Sequence, residues 1–304
     1  MTSGGMIQGG SRNSPVSGWT PGWAVWIRFR RHTMALVSLG VLGVVAGAAL
    51  FAPLLTPYNP ATLDLDHSLA GPSLSHPLGT DDLGRDELAR LLYGGRISLL
   101  VGFAAMIVGG IIGVVLGSVA GYFGGWADAA IMRLVDLILS FPAIFLLLVL
   151  LNWTSGVRTS VLLLIAYLGL FGWTGLARIV RAEYLSLRSR EFVEGARAIG
   201  ARTRRILFRH ILPNALGPVL VQLAFAVGGA ILAEAALDFL GFGLPPDIPT
   251  WGNLMTRAED YIVTAPLLVV APGIVVTLTV VSVFFVGDAL RDALDVRTPY
   301  WGPR

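Results

Sequence analysis

ISLLVGFAAMIVGGIIGVVLGSVA, residues 97–120, contains no charged side chain. A helix of about 20 apolar residues is long enough to cross the roughly 30 Å hydrocarbon core of a bilayer. The run is continuous, whereas the strands of a β-barrel show short alternating segments, so its backbone must satisfy its hydrogen bonds within a helix. We therefore predict that residues 97–120 span a membrane as a helix.

Five further apolar runs accompany this one. The chain has 304 residues, of which 55% are hydrophobic and 13% charged, while soluble domains carry about 25% charged residues. The runs predict an all-α fold, a polytopic transmembrane bundle of about six spanning helices. The third run is the shortest and contains Pro142, and only the fifth holds a charge, Glu234. The six predicted spans are 34–55, 97–120, 137–153, 159–177, 215–237 and 264–286.

The distribution of arginine predicts the orientation. All 22 basic residues are Arg, and with a cytoplasmic N-terminus 17 of them fall on the inner side of the membrane. Inner segments of membrane proteins are enriched in basic residues, so both termini are predicted to be cytoplasmic. The resulting organisation is a partly disordered N-terminal tail 1–33, a first transmembrane helix with an external loop 34–96, a transmembrane core 97–288 and a cytoplasmic C-terminal tail 289–304. The core includes a cytoplasmic loop 178–214 and an external loop 238–263.

Composition also argues against several kinds of site. A phosphate-binding loop of the form GxxxxGK[ST] needs a lysine, and this chain has none, so we expect no ATP hydrolysis on it. With no Cys there is no thiolate site, and all four His lie outside the predicted spans, which disfavours a membrane-embedded hydrolase. His67 and His76 lie among aspartates at irregular spacing, typical of a solvated loop. We predict no catalytic residue, no metal site and no cofactor on this chain.

The external loop 56–96 contains one predicted helix start. Asp86 is positioned to cap a short helix that carries Leu88, Leu91 and Leu92 on one side. The second external loop is stiffened by three prolines and contains Phe and Trp. These loops either meet an external partner or only cover the bundle.

A second stretch, EGARAIGARTRRILFRHILP at residues 194–213, interrupts the apolar pattern. Helical spacing places Phe192, Val193, Ala196 and Ile199 on one face, and Gly200 offers the left-handed conformation that ends a helix. A second segment, Thr203 to Leu212, is predicted to be helical until Pro213 breaks it, with Asn214 capping the next span. The element either inserts into a groove of another protein or lies on anionic lipid.

The same stretch resembles the EAA loop of ABC-importer permeases, whose pattern is E-A-A, three residues, G, nine residues, I-x-L-P. Glu194 begins the pattern and Gly200, Leu212 and Pro213 fit it, while Gly195 replaces the Ala at its second position and His210 replaces its Ile. Further stretches are similar to the dipeptide, oligopeptide and nickel branch, and best to its second, or C-type, subunit. They are HPLGTDDLGRD at 76–86, RLLYGGRISLLVG at 90–102, FLGFGLPPDIPTWG at 239–252 and GDALRDALDVR at 287–297. Phe284 and Val296 depart from that branch.

The resemblance implies a permease subunit in a bacterial cell (inner) membrane. It implies half of a translocation pathway for di- or oligopeptides, with nickel chelates or glutathione as alternatives. The implied partners are a second homologous permease in a heterodimer, two cytoplasmic ATPases that hold ATP and Mg, and an external solute-binding protein; nucleic acid is not among them. Coupling to the ATPases is implied for Glu194, Gly195, Ala196, Arg197, Ile199, Gly200, Ala201, Leu212 and Pro213. A self-sufficient channel or secondary transporter is the alternative from another class.

Two features of the spans are further candidates. Gly109, Gly113, Gly117 and Gly121 recur every four residues and predict a groove where another helix approaches closely, for static packing or for sliding. Glu234 and Asp238 are candidates for the transport path or its mouth, because an intramembrane carboxylate is costly. A hydrogen-bonded structural role for Glu234 is the alternative.

Overall fold

The computed structural model describes residues 22–153, 159–256 and 258–294. Within them the regular structure is helical, and the only β feature is a single bridge between Thr80 and Asp86. A 3-10 turn occupies Leu65–His67 and a π-helical segment Ile206–Ile211. The α-helices of this part are α1 Gly22–Phe29, α2 Thr33–Leu50, α3 Ala52–Leu55, α4 Glu87–Phe123, α5 Gly125–Leu139, α6 Ala143–Trp153, α7 Val161–Leu187, α8 Glu191–Ala198, α9 Thr203–Arg205, α10 Leu212–Phe239, α11 Trp251–Leu254, α12 Ala258–Tyr261 and α13 Leu267–Leu294.

The prediction of an all-α membrane bundle with about six spans is confirmed. Five helical segments of the described chain are long and apolar enough to cross a bilayer: α2, α4, α7, the continuous segment Thr203–Phe239 and α13. A sixth crossing exists if α5 and α6 are taken together. Most of the predicted N-terminal tail, and Val296 in the C-terminal tail, lie outside the described residues.

The third predicted span, 137–153, is wrong as a single helix. The chain breaks between α5 and α6, whose axes differ by 84°. Pro142 lies at the break, where it has no N–H to donate and disfavours helical conformation in the preceding residue. The turn just before Pro142 is held by a local hydrogen bond, in which the Ser140 hydroxyl donates to the Leu137 carbonyl oxygen at 2.7 Å.

Helix α4 begins earlier than the sequence predicted. The carboxylate of Asp86 caps it, with Oδ1 accepting from the Ala89 backbone N–H at 2.6 Å. The predicted short external helix is therefore the first part of one 37-residue helix, and the boundary drawn at 96/97 falls inside it. Such a helix rises about 55 Å, well beyond the hydrocarbon thickness.

The long cytoplasmic loop predicted at 178–214 is also mostly helix. Helix α7 continues to Leu187, and the chain from Thr203 runs through the π-helical segment directly into α10. Pro213 does not break this helix, because the wider π-helical turn before it accommodates a residue that lacks an N–H donor. Asn214 is not a cap, since its Nδ2 donates to the His210 carbonyl oxygen at 2.6 Å.

Five long helices of the described chain form the main body of the bundle. Helices α4 and α7 pack along most of their length, α10 packs on α4, α7 and α13, and α2 packs on α13 and α4. The segments 56–86, 240–256 and 258–266 lie together at one end, where Arg85 Nη1 donates to the Pro246 carbonyl oxygen at 3.5 Å. We call this the loop end. Helix α8 lies at the other end, the α8 end, beside the last residues of α4 and α7.

Candidate functional site

Helix α8 is a two-turn helix with a well-defined end. Glu191 and Glu194 occupy its first turn, where negative charge interacts favourably with the helix dipole. Gly200 has φ +75°, the left-handed conformation predicted for it. The N–H of Gly200 donates to the Arg197 carbonyl oxygen at 2.9 Å and the N–H of Ala201 to that of Ala196 at 3.0 Å, which together form a Schellman closure.

The apolar residues of α8 divide between two environments. Val193 and Ala196 are buried against Tyr184, Ile206 and Ile211 of the bundle. Phe192 is 40% exposed and Ile199 is 85% exposed. The prediction of one shared apolar face is therefore wrong: the inner pair anchors the helix, and the outer pair leaves apolar surface uncovered.

Polar contacts attach α8 and its surroundings to three spans. The Tyr184 hydroxyl of α7 donates to the Leu207 carbonyl oxygen at 3.0 Å, and Arg188 Nη1 donates to the carbonyl oxygens of Gly121 and Tyr122, each at 3.3 Å. The Arg197 guanidinium of α8 lies 5.3 Å from the centre of the Tyr122 ring. Tyr184 and Arg188 could not be selected from the sequence, because their partners lie far away along the chain.

Other predicted coupling residues lie around α8. Glu194, Gly195 and Arg197 are exposed, and a side chain added at Gly195 would meet nothing within 4 Å. Leu212 and Pro213 are partly buried at the start of α10, and Leu212 packs on the cluster beneath α8. The structure thus places the matched residues of the pattern on one exposed helix and on the span that follows it.

The four-residue glycine repeat of α4 faces α7. A Cβ added at Gly117 would lie 2.6 Å from the Ala177 carbonyl oxygen, and one added at Gly121 would lie 2.6 Å from that of Arg181. Gly113 similarly meets Trp173 and Leu176, and Gly109 meets Gly169 and Gly172. Only glycine at these positions lets the two backbones come so close.

The two acidic candidates of α10 are inside the protein. Glu234 and Asp238 are both 0% exposed, and their carboxyl groups accept hydrogen bonds from the Ser98 and Thr250 hydroxyls. Neither lines an open path or the mouth of one in this conformation. The hydrogen-bonded alternative fits these contacts, and Ser98 and Thr250 are residues that sequence reasoning missed.

A cavity of about 270 Å³ lies between α4, α6, α7 and α10. Its wall contains small residues such as Gly110, Gly172, Ala226 and Gly229, which leave room near the backbone. Gln222 is the one polar side chain of that wall, and no hydrogen-bond partner is found for it among the described residues. Nothing in the sequence distinguished Gln222, because no charge or motif surrounds it.

The loop end is held together by its own polar groups. Asp81 accepts from the backbone N–H groups of Leu83 and Arg85, each at 2.9 Å, and from Arg85 Nε at 2.6 Å. Asn253 Nδ2 donates to three carbonyl oxygens of the 239–252 stretch. No group of three or more metal-ligating side chains occurs in the ranges that the structure describes.

Spanning helices that close around a cavity, with a small helix packed on the ends of three of them, are an architecture suited to a membrane permease. Residues 113–299 match the family described as binding-protein-dependent transport system inner membrane component, and residues 20–72 match the N-terminal transmembrane domain of oligopeptide transport permease C. The chain belongs to this family of inner membrane components, and it is an ABC-importer permease. This confirms the family expected from the EAA-like stretch.

Two curated relatives cover nearly the whole chain. A dipeptide transport system permease protein DppC of Alkalihalophilus pseudofirmus is 40% identical over 270 residues, which are 88% of this chain and 87% of the relative. A glutathione transport system permease protein GsiD of Pectobacterium atrosepticum is 39% identical over 278 residues, 91% of each chain. The fold is similar to a chain of the inward-facing MetNI methionine ABC transporter, with a TM-score of 0.55 and 19% identity, over 68% of this chain and 96% of that one.

Proposed function

We propose that this permease imports di- or oligopeptides and that it pairs with a second, homologous permease to enclose the path. Two cytoplasmic subunits bind ATP with Mg and hydrolyse it, an external solute-binding protein delivers the substrate, and this chain holds no cofactor. The observation that carries the proposal is α8, an exposed helix mounted rigidly on the spans. The 40% identity to a dipeptide permease supports the choice of substrate.

The outer face of α8 has the properties of a docking surface for the ATPases. Phe192 and Ile199 expose apolar side chains next to charged ones, and burying an apolar side chain of this size contributes about 1.5–3 kcal/mol. The inner face is fixed through Val193 and Ala196, so a displacement of α8 carries the ends of α4, α7 and α10 with it. Closure of the ATPases therefore shifts the spans between two arrangements.

The arginine distribution supports a cytoplasmic α8 end. Nine arginines lie between Arg178 and Arg209, around α8, whereas the loop end holds few. Because basic residues accumulate on the inner side, α8 faces the cytoplasm and both termini lie there. The loop end then faces outward, where the solute-binding protein meets it.

The cavity beside Gln222 is this subunit's part of the proposed path. Its wall is apolar apart from one amide, and an amide both donates to and accepts from the peptide groups of a passing substrate. An uncharged wall holds neither charged end of a peptide strongly, which favours passage over retention. Glutathione, itself a small peptide, is the second candidate, because a glutathione permease is 39% identical over 91% of the chain.

The test is uptake by the purified assembly in proteoliposomes with its cognate solute-binding protein. Dipeptides, longer peptides, glutathione and nickel chelates are supplied separately, with ATP inside or absent. We expect ATP-dependent accumulation of peptides. If only glutathione or only nickel chelates accumulate, that compound is the substrate in place of peptides. Uptake that needs no ATPase would indicate a secondary transporter.

Docking is tested separately by substitution on α8. We expect Ile199→Glu to reduce ATPase co-purification about tenfold or more, since a charge replaces buried apolar surface at the interface. Val263→Glu is the matched control, because Val263 is 88% exposed and Ile199 85% exposed, but Val263 lies at the loop end. Equal ATPase recovery from both variants would refute the docking surface.

A further inference from the structure

Glu234 and Asp238 form a buried acidic pair one turn apart on α10. Both are 0% exposed, and no basic side chain pairs with either of them among the described residues. Glu234 Oε1 accepts from the Ser98 hydroxyl at 3.1 Å. Asp238 Oδ1 accepts from the Leu244 backbone N–H at 2.6 Å, and Asp238 Oδ2 accepts from the Thr250 hydroxyl. Both oxygens of Asp238 and one oxygen of Glu234 therefore have donors.

One of the four carboxyl oxygens of the pair lacks a hydrogen-bond donor. Glu234 Oε2 is buried and has no hydrogen-bond partner among the described residues, and the Asp238 carboxyl group lies one turn further along the same helix. Ionised carboxylates only accept, so two of them in contact and away from water would repel each other and leave this oxygen unsatisfied. A single proton between the two groups removes one charge and supplies the hydrogen bond. Asp238 already receives two donors, which stabilise a negative charge on it and make Glu234 the group better suited to carry the proton.

The acidic pair connects a loop-end segment, residues 244–256, to two spans. Ser98 of α4, which donates to Glu234, also accepts from the Trp251 backbone N–H at 3.2 Å. Thr250, which donates to Asp238, also caps α11 by accepting from the Asn253 N–H at 3.0 Å. The backbones fit closely as well, since a Cβ added at Gly252 would lie 2.6 Å from the Asp238 Cβ.

We propose that Glu234 and Asp238 share one proton and that the protonated pair positions the 244–256 segment over the loop end of the permease. The two residues are positioning residues, because neither reaches the cavity. The groups that face the pair are the Ser98 hydroxyl from α4 and the Thr250 hydroxyl and Leu244 N–H from the segment. No other titratable group of the described chain faces either carboxyl. Loss of the proton at high pH makes the two carboxylates repel and loosens the segment.

The first measurement is the infrared spectrum of the complete transporter in lipid. A buried protonated carboxyl group has a C=O stretch separate from that of carboxylates, and the band shifts in D2O. We expect this band in the wild type at neutral pH and its loss in Glu234→Gln. A band that is missing from the wild type, or that Glu234→Gln leaves unchanged, would overturn the proposal.

The second measurement is hydrogen exchange of residues 244–256 as a function of pH. Glutamine keeps a donor towards Asp238 and has no proton to lose, so Glu234→Gln should hold the segment closed at every pH. In the wild type, opening should rise about tenfold per pH unit once the pair titrates, because one proton is linked to closure. This adds to the intrinsic pH dependence of exchange, which both proteins share.

The control is Glu87→Gln, which removes a different buried carboxyl, on α4, that has no hydrogen bond to the segment. It should leave the wild-type pH dependence of the segment unchanged. Identical pH slopes in the wild type and Glu234→Gln would contradict the shared proton. Neither measurement uses substrate or ATP, so its failure is distinct from a failure of the proposed import function.

Discussion

Gly117→Ala is the substitution that tests the α4–α7 contact most directly. The added Cβ would lie 2.6 Å from the Ala177 carbonyl oxygen and 2.7 Å from the Val180 Cβ, while ordinary contact begins at 3.4 Å. The two helices must therefore separate locally by about 0.8 Å, and overpacking of this kind costs about 1–3 kcal/mol. We expect a lower free energy of unfolding, measured by denaturation of the purified permease in mixed micelles.

The matched control for this prediction is Gly172→Ala on the facing helix. A Cβ at Gly172 would meet nothing within 4 Å. The substitution should therefore raise the free energy of unfolding by about 0.5–1 kcal/mol, because alanine favours the helix over glycine. The two variants should consequently differ by about 1.5–4 kcal/mol. If Gly117→Ala is as stable as Gly172→Ala, the glycine repeat does not set the distance between the helices.

Three further experiments test other contacts. Gly200→Val should strain a residue at φ +75° by about 1–2 kcal/mol and uncouple ATP hydrolysis from uptake, whereas Gly241→Val, which strains an equally open residue at φ +78° at the loop end, should not; equal coupling ratios would contradict this. A double-mutant cycle on Arg181 and Asp128, joined by two hydrogen bonds between α7 and α5, should give a coupling energy of about 1 kcal/mol that falls with salt; a value of zero would remove the pair as a connection. Asn253→Ala should destabilise the loop end by about 1–3 kcal/mol, seen as faster proteolysis of the 239–252 stretch, because three carbonyl oxygens lose their donor; unchanged proteolysis would contradict it.

The spans could be predicted because the bilayer requires long apolar helices. The ends of these helices could not, since they depend on contacts outside the membrane. Two prolines show the difference: Pro142 lies at a break, whereas Pro213 lies inside a continuous helix. The local rule for proline is the same at both positions, but of the two only Pro213 follows a π-helical segment that runs directly into its helix.

The candidate sites divide in a similar way. Gly200 could be assigned from the sequence, because a helix end needs the left-handed conformation at one residue. The role of Glu234 could not, because its partner Ser98 lies 136 residues away along the chain. The glycine repeat predicted a close neighbour, but the facing residues of α7 carry no matching repeat that would have identified it.

The bend at Pro142 constrains what surrounds this subunit. Helix α6 has 11 residues and rises about 16 Å, roughly half of the hydrocarbon thickness, so it does not cross a bilayer alone; where α5 and α6 together form the sixth crossing, the turn between them lies at bilayer depth. Ser140, Phe141 and Pro142 are exposed on the isolated chain. Lipid tails offer no hydrogen-bond donor to the carbonyl oxygens freed there, and bent backbone at this depth is stable only against polypeptide or water. We therefore expect this turn to face another subunit or water, and not lipid acyl chains, in the assembled transporter.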